Sequence, residues 1–345
     1  MKVAVYEGVG SIKLQDRPDL KAEPGEVIVR IKYCGICGTD IHICYDGLLP
    51  PPMVMGHENV GTISDIGEGV EGWRIGDRVA VGPPGPCGEC YYCNHGHPAI
   101  CETGFIRTNG LGPGHDGGMA EYMKVRDPKG MLHRIPDDVS FEDAVLIDTI
   151  ATGLRGILQS RFKIGDNVVV SGAGPIGLGT IQWLKIAGAR HITALEPSER
   201  KRKLALDLGA NDVLNPLKEG EGLRDKILAR YGGLGADVAF ECAGVPPAFE
   251  TALDLIRGAG QLLVVGHSEN QVSVNDSRMV LRESNIKASQ AYSGEEVAIC
   301  LDFLAQGRFN TKGFIEEIIS LDDIVENGFE RLKANSDLMK IAVAP

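Results

Sequence analysis

From Asn167 onward, strand-like apolar runs alternate with helical patterns, and this alternation constrains the fold more than any other feature of the sequence. Asn167 to Ser171 predicts a continuous strand, followed by a Gly-rich turn and a helical pattern from Ile176 to Ala187. A strand at His191 to Glu196, a charged helix from Ser198 to Leu208, a strand at Val238 to Cys242, a helix near Phe249 to Ile256 and a strand at Gln261 to Gly266 continue the pattern. Strands joined through helices run parallel, so this part predicts an α/β domain wound in βαβ units. The earlier part has a different texture. Short β-like runs (Glu26 to Lys32, Asn59 to Ile66, Asp77 to Val81) are divided by Gly and Pro, which predicts an all-β, loop-rich domain. The tail from about Ala291 has a helical pattern at Glu295 to Leu304 and short apolar segments that pack back onto the first domain. The expected divisions are therefore 1–150, 151–290 and 291–345, in line with a chain of 345 residues. Gly110 to Gly118 and Pro128-Lys-Gly130 read as exposed loops.

Four cysteines, Cys87, Cys90, Cys93 and Cys101, follow the pattern C-x2-C-x2-C-x7-C. Thiolates spaced so closely can close a tetrahedron around one Zn²⁺, a sealed structural site with no position open for substrate. The lobe spans about 84–104. There are nine cysteines, an odd count in a spacing that suits metal rather than disulfides, which points to a reducing, cytoplasmic setting. The N-terminus, Met-Lys-Val-Ala-Val-Tyr-Glu-Gly, has no apolar signal core, and no run approaches a membrane span, so no membrane partner is expected. A net charge of −12 argues against a nucleic-acid partner. It also counts, with the lack of a basic or aromatic stripe, against a zinc-ribbon module with no catalytic role.

After the strand at Asn167 to Ser171 comes Gly172-Ala-Gly174-Pro175-Ile176-Gly177, a G-x-G-x-x-G. Its glycines permit a tight turn, close approach of backbone to a pyrophosphate and close helix-on-strand packing, and the helix N-terminus offers unpaired N–H groups. Glu196 lies 19 residues past Gly177 at the end of the next strand. An acid there accepts hydrogen bonds from the adenosine ribose and repels a 2′-phosphate, which favours NAD(H) over NADP(H). Arg200 and Lys201, just beyond, weaken that preference. The alternative reading of Glu196 is a helix cap or a solvated loop residue.

Upstream lie Cys34-Gly-Ile-Cys37-Gly-Thr39-Asp40-Ile-His42 and Gly56-His57-Glu58. One Cys and one His supply two of the three protein ligands that an open, catalytic zinc needs. The segment Gly56 to Val70 reads G-H-E-x-x-G-x-x-x-x-x-G-x-x-V. Together with C-G-I-C-G-T-D-x-H, the four-cysteine lobe and the later G-x-G-x-x-G, it resembles the zinc-dependent medium-chain alcohol and polyol dehydrogenases of the sorbitol, butanediol and threonine type. The resemblance covers essentially the whole chain. It implies a GroES-like, β-rich catalytic domain beside a Rossmann-type, doubly wound parallel-sheet domain.

The resemblance also implies roles. Cys37 and His57 become ligands of a catalytic zinc, with Cys34 a packing residue. The third ligand falls a few residues before Thr152-Gly153, which places Asp148 where relatives carry Cys, Glu or Asp. An acid in so apolar a run is costly unless paired or metal-bound. Glu58 adjoins the metal, and Asp40 is similar to the acid that orients the ligand histidine. Surface acids in loops are the plain alternatives for both. Thr39 would pass a proton through the nicotinamide ribose to His42, which reads as well as a surface histidine. Ile176 would press on the nicotinamide ring, and Lys340 matches a basic residue near the pyrophosphate, or else a solvated lysine on a terminal strand. Gly172, Gly174, Pro175, Gly177, Glu196 and Lys201 complete the expected cofactor site. The implied activity is NAD-dependent oxidation of a secondary alcohol or polyol, with two zinc ions per chain, in a homodimer or homotetramer. A zinc-free reductase acting on an enone or thioester is disfavoured by Cys37 and His57, whereas a cyclic alcohol or CoA-thioester substrate stays open.

Overall fold

The computed structural model describes residues 1–83, 85–268 and 270–345; Pro84, at the edge of the expected cysteine lobe, lies outside them. The chain forms two compact units, Met1–Asp148 with Tyr292–Pro345, and Thr149–Ala291.

Among the described residues of the first unit, a seven-stranded sheet carries the site. Its order is Ile315–Ser320, Lys340–Ala344, Val27–Gly35, Glu58–Ile66, Arg78–Val81 and Leu132–Arg134, with Tyr122–Val125 also paired to Val27–Gly35. The tail therefore returns as strands. Val343 pairs with Cys34 and Ala342 with Gly35. A three-stranded antiparallel sheet, Ser11–Asp16, Lys2–Gly8 and Met53–Val54, completes the β part. One core of aliphatic, Met and aromatic side chains, including Val5, Val29, Met55, Ile63, Met119 and Phe329, serves this unit. This is the GroES-like β-rich unit that the sequence predicts.

Among the described residues, the second unit holds a six-stranded parallel sheet. Its spatial order is Asp212–Leu214, His191–Leu195, Asn167–Ser171, Ala236–Glu241, Ile256–Val264 and Asn285–Ala288. Numbered along the unit, that is 3-2-1-4-5-6, the doubly wound Rossmann order. The central strands are buried almost end to end, as parallel strands covered by helices on both faces must be. Ser198 accepts from the Lys201 N–H at the start of Glu199–Leu208. Among the described residues, no helix is long and apolar enough to cross a membrane.

Two expected loops turn out differently. Pro128–Met131 is a short helix, because the Asp127 carboxylate accepts from the Gly130 N–H and Pro128 and Met131 are buried. Within residues 110–118 only Pro113, Gly114 and Asp116 are exposed, while 110–112, 117 and 118 are buried. A Cβ at Gly117 would lie 2.3 Å from the Gly56 carbonyl oxygen, and one at Gly118 would lie 1.9 Å from Asn59 Oδ1. The glycines there allow one backbone to lie against another, beside His57.

Candidate active site

Strand Val27–Gly35 leads into helix Gly38–Asp46, and Cys37 stands at the N-cap between them. Asp40 folds back over this turn, so that its Oδ2 accepts from the Cys37 N–H at 2.9 Å. The antiparallel register pairs Gly35 with Glu58 and Cys34 with Asn59, which brings His57 and Glu58 alongside Cys37. Two glycines make room. A Cβ on Gly35 would lie 2.0 Å from Glu58 Oε2, and one on Gly56 would lie 2.4 Å from Cys34 Sγ. Asp148 arrives on the first turn of helix Ile147–Gln159. The result is a cluster in which one ligand atom from each of Cys37, His57, Glu58 and Asp148 lies within 4.8 Å of the others. Cys34 is buried outside that set, its thiol pointed at the Gly35 carbonyl.

Burial makes this concentration of acids costly unless it is balanced. Lys340 Nζ reaches both Glu58 oxygens, at 2.6 and 2.5 Å, with the two side chains 5% and 1% exposed. Burial opposes the Lys340 charge, but Glu58 outweighs it and holds the ammonium above its ordinary range. Burial likewise opposes a charge on His57, while Asp40 and Cys37 raise the imidazole well above its usual value. The Cys37 sulfur and the Glu58 and Asp148 carboxylates so gathered, with Lys340 set against Glu58, suit a divalent cation.

The donor set of thiolate, imidazole and carboxylate is the chemistry of a zinc site. His57 Nδ1 and Asp40 Oδ1 face each other at 3.6 Å, and neither has a hydrogen-bond partner. Asp40 is wholly buried, so the surface-acid reading does not apply to it. An acid on Nδ1 favours the tautomer whose Nε2 lone pair is free for a metal.

The second metal candidate is closed. Cys87, Cys90, Cys93 and Cys101 bring their sulfurs within 4.8 Å of one another, at the start of helix Tyr91–Asn94 and around the turn Pro98–Ile100. Backbone N–H groups point at the sulfurs, Cys90 to Cys87 at 3.3 Å and Cys87 to Cys101 at 3.5 Å. Burial pushes the Cys101 thiol up, yet hydrogen bonds from Cys87 and Thr103 overcome it and bring it down to about 6. Such a thiol is readily a thiolate.

In the second unit, Gly172 turns the chain at φ +94 and Gly174 caps helix Pro175–Ile186. A Cβ on Gly177 would meet the Gly172 oxygen at 2.0 Å, so the helix lies hard against the turn. Around Gly174 there is open space, and the cap has no side-chain hydrogen bond. That leaves the first N–H groups of the helix available to a pyrophosphate. Glu196 is buried, with Oε2 accepting from Ala173 N–H at 2.8 Å and Oε1 from Ser198 N–H at 2.9 Å.

Comparisons with known proteins place the chain in a family. Residues 23–137 match the family described as "Alcohol dehydrogenase GroES-like domain", and residues 175–306 match "Zinc-binding dehydrogenase". The chain is 33% identical to (R,R)-butanediol dehydrogenase of Bacillus subtilis, covering 100% of both proteins. The chain belongs to the zinc-dependent medium-chain dehydrogenases. Sorbitol dehydrogenase of Bacillus subtilis is 30% identical over 100% of this chain and 97% of its own. A crystal structure of 2R,3R-butanediol dehydrogenase from Bacillus subtilis superposes with a TM-score of 0.88 at 33% identity, covering 100% of this chain and 99% of that one. Zinc and a nicotinamide cofactor come with this family.

Against the family pattern, the structure locates the remaining expected residues as follows. Thr39 Oγ1 lies 3.7 Å from Cys37 Sγ. His42 is part-exposed, one helical turn on, with Nδ1 2.7 Å from Asp46 Oδ2. Ile176 sits on the first turn of helix Pro175–Ile186, where its carbonyl accepts from the Thr180 hydroxyl. Lys201 is buried near the start of helix Glu199–Leu208. Lys340 is buried on Glu58 rather than solvated. One residue beside the metal cluster was not foreseen. The Tyr292 hydroxyl donates to Asp148 Oδ2 at 2.6 Å. No local signal in the sequence marks it.

Proposed function

We propose that this dehydrogenase oxidises a secondary alcohol or polyol to the ketone, reversibly, with NAD as hydride acceptor. The observation that carries this reading is the convergence of Cys37, His57, Glu58 and Asp148 on one point inside the first unit. When bound, zinc supplies a Lewis acid that lowers the pKa of an alcohol hydroxyl, and the nicotinamide takes the hydride. Cys37, His57 and Asp148 hold the ion, and Asp40 fixes the His57 tautomer. Lys340 balances the charge of Glu58 beside the residues that would hold the ion. Thr39 relays the alcohol proton, releasing its own hydroxyl proton as it accepts one, and His42, which reaches the surface, passes a proton to solvent. The turn Gly172 to Gly177, with Pro175 and Ile176, would hold the dinucleotide, and Lys201, near the start of helix Glu199–Leu208, would add positive charge toward its phosphates. Glu196 favours NAD over NADP, because a buried carboxylate at that strand end disfavours a second phosphate. Cys87, Cys90, Cys93 and Cys101 hold a second, structural zinc, for two per chain. The expected quaternary form is a cytoplasmic homodimer or homotetramer.

The test is a screen of NAD⁺ reduction over sugar alcohols, vicinal diols, threonine and cyclic alcohols, with Cys37→Ser as control. The reading predicts turnover of a secondary alcohol or polyol that disappears in Cys37→Ser. Undiminished turnover in that variant overturns the zinc mechanism.

A further inference from the structure

Tyr292 is almost fully buried, at 6% exposure, and its hydroxyl donates to Asp148 Oδ2 at 2.6 Å. The contact spans 144 residues of sequence, from the return segment to the start of helix Ile147–Gln159. The backbone is shaped to aim this ring. Ala291, just before it, lies at φ +48, a region an alanine enters at a cost on the order of 1 kcal/mol. Strain held next to a buried side chain that touches a candidate ligand is the pattern of a residue that must point one way.

Cys37 stands at the cap turn and His57 faces Asp40, partners close by in the same unit. Asp148 takes a bond from far along the sequence, its Oδ2 accepting from the Tyr292 hydroxyl at 2.6 Å. We propose that Tyr292 is a positioning residue that orients Asp148 as a one-oxygen ligand and so sets the affinity of the Cys37–His57–Asp148 site for zinc. This rests on the zinc reading above, and it adds a residue that never meets the ion. Partners of this kind typically change metal affinity by about 10–100-fold when removed.

Tyr292→Phe removes one oxygen and keeps the ring. Zinc affinity of the Cys37 site is read by competition with a chromogenic chelator in the full chain, and the zinc retained by the four-cysteine lobe reports that the fold is intact. The expected result is a site weaker by about 10–100-fold, with the lobe zinc kept. In an Asp148→Asn background the same substitution should add little, because the carboxylate that Tyr292 orients is gone. A residue with only a structural role would lower the melting temperature and leave zinc affinity alone. If Tyr292→Phe leaves affinity within twofold while Asp148→Asn weakens it, the positioning role is overturned and the metal site stands. If neither weakens it, Asp148 is not a ligand and both fall.

Discussion

Replacing Lys340 with Met probes the most concentrated charge in the first unit. Methionine keeps the length and volume of the stem, so the substitution opens little cavity and the cost is electrostatic. Lys340 holds both Glu58 oxygens, and the side chains are 5% and 1% exposed, so the variant strands a carboxylate in the interior. Removing one partner of a buried pair costs about 3–5 kcal/mol. Protonation of Glu58 sets a ceiling. Neutralising a carboxylate whose unfolded pKa is about 4.3 costs about 1.36 kcal/mol per pH unit, hence about 3.7 kcal/mol at pH 7 and about 1 at pH 5. The sign follows from the direction of each shift. In the native protein Lys340 is raised, so its contribution is complete below the unfolded lysine pKa and is lost only in strong base. Burial already raises Glu58, and without the ammonium it rises further, so the variant is favoured at low pH and loses stability as pH climbs. The assay is urea unfolding at several pH values, after mild chelation frees the Cys37 cluster of any ion that could serve Glu58 as a second counter-charge. Adding Glu58→Gln should restore most of the loss. A deficit below about 1 kcal/mol at pH 7, or one that does not shrink toward pH 5, refutes the reasoning.

Three further outcomes can be checked separately. Cys93→Ser should empty the four-cysteine lobe and lower the melting temperature while the Cys37 site keeps its zinc, as metal analysis and calorimetry would register; full stability with the lobe metal retained would contradict a metal-held lobe. Glu196→Ala removes the acceptor for the Ala173 and Ser198 N–H groups and should raise the Michaelis constant for NAD⁺ about tenfold while relaxing discrimination against NADP⁺; if neither changes, Glu196 has no place at the ribose. Gly177→Ala places a Cβ 2.0 Å from the Gly172 oxygen, so the turn must open. It should cost about 1–3 kcal/mol of stability and weaken calorimetric NAD⁺ binding, and unchanged binding would show that the turn tolerates a side chain.

What the sequence discloses is local, and what it hides is long-range. Strand Asn167–Ser171, the turn after it and helix Pro175–Ile186 are legible because apolar runs and glycine chemistry act over a few residues. The short strands Asp212–Leu214 and Asn285–Ala288 escape notice, being three and four residues long and only partly buried at the sheet edges. Residues 110–118 read as an exposed loop, while Gly110 and Gly117 serve close backbone contact with Gly56. Cys37, His57 and Asp148 are nameable through family motifs. Asp40, nearby in the same motif, is nameable too, but the distant pairings are not, since Lys340 meets Glu58 across 282 residues and Tyr292 meets Asp148 across 144. Pairings of that kind depend on where the return segment enters the sheet, which no short pattern encodes.

The central claim is that Cys37, His57 and Asp148 form an open cation site distinct from the closed cysteine lobe. Zinc counted per chain in the native protein and in Cys37→Ser tests it most directly. The account predicts two zinc ions falling to one, with alcohol oxidation lost. Two ions retained in Cys37→Ser, or none beyond the lobe ion in the native chain, would contradict it.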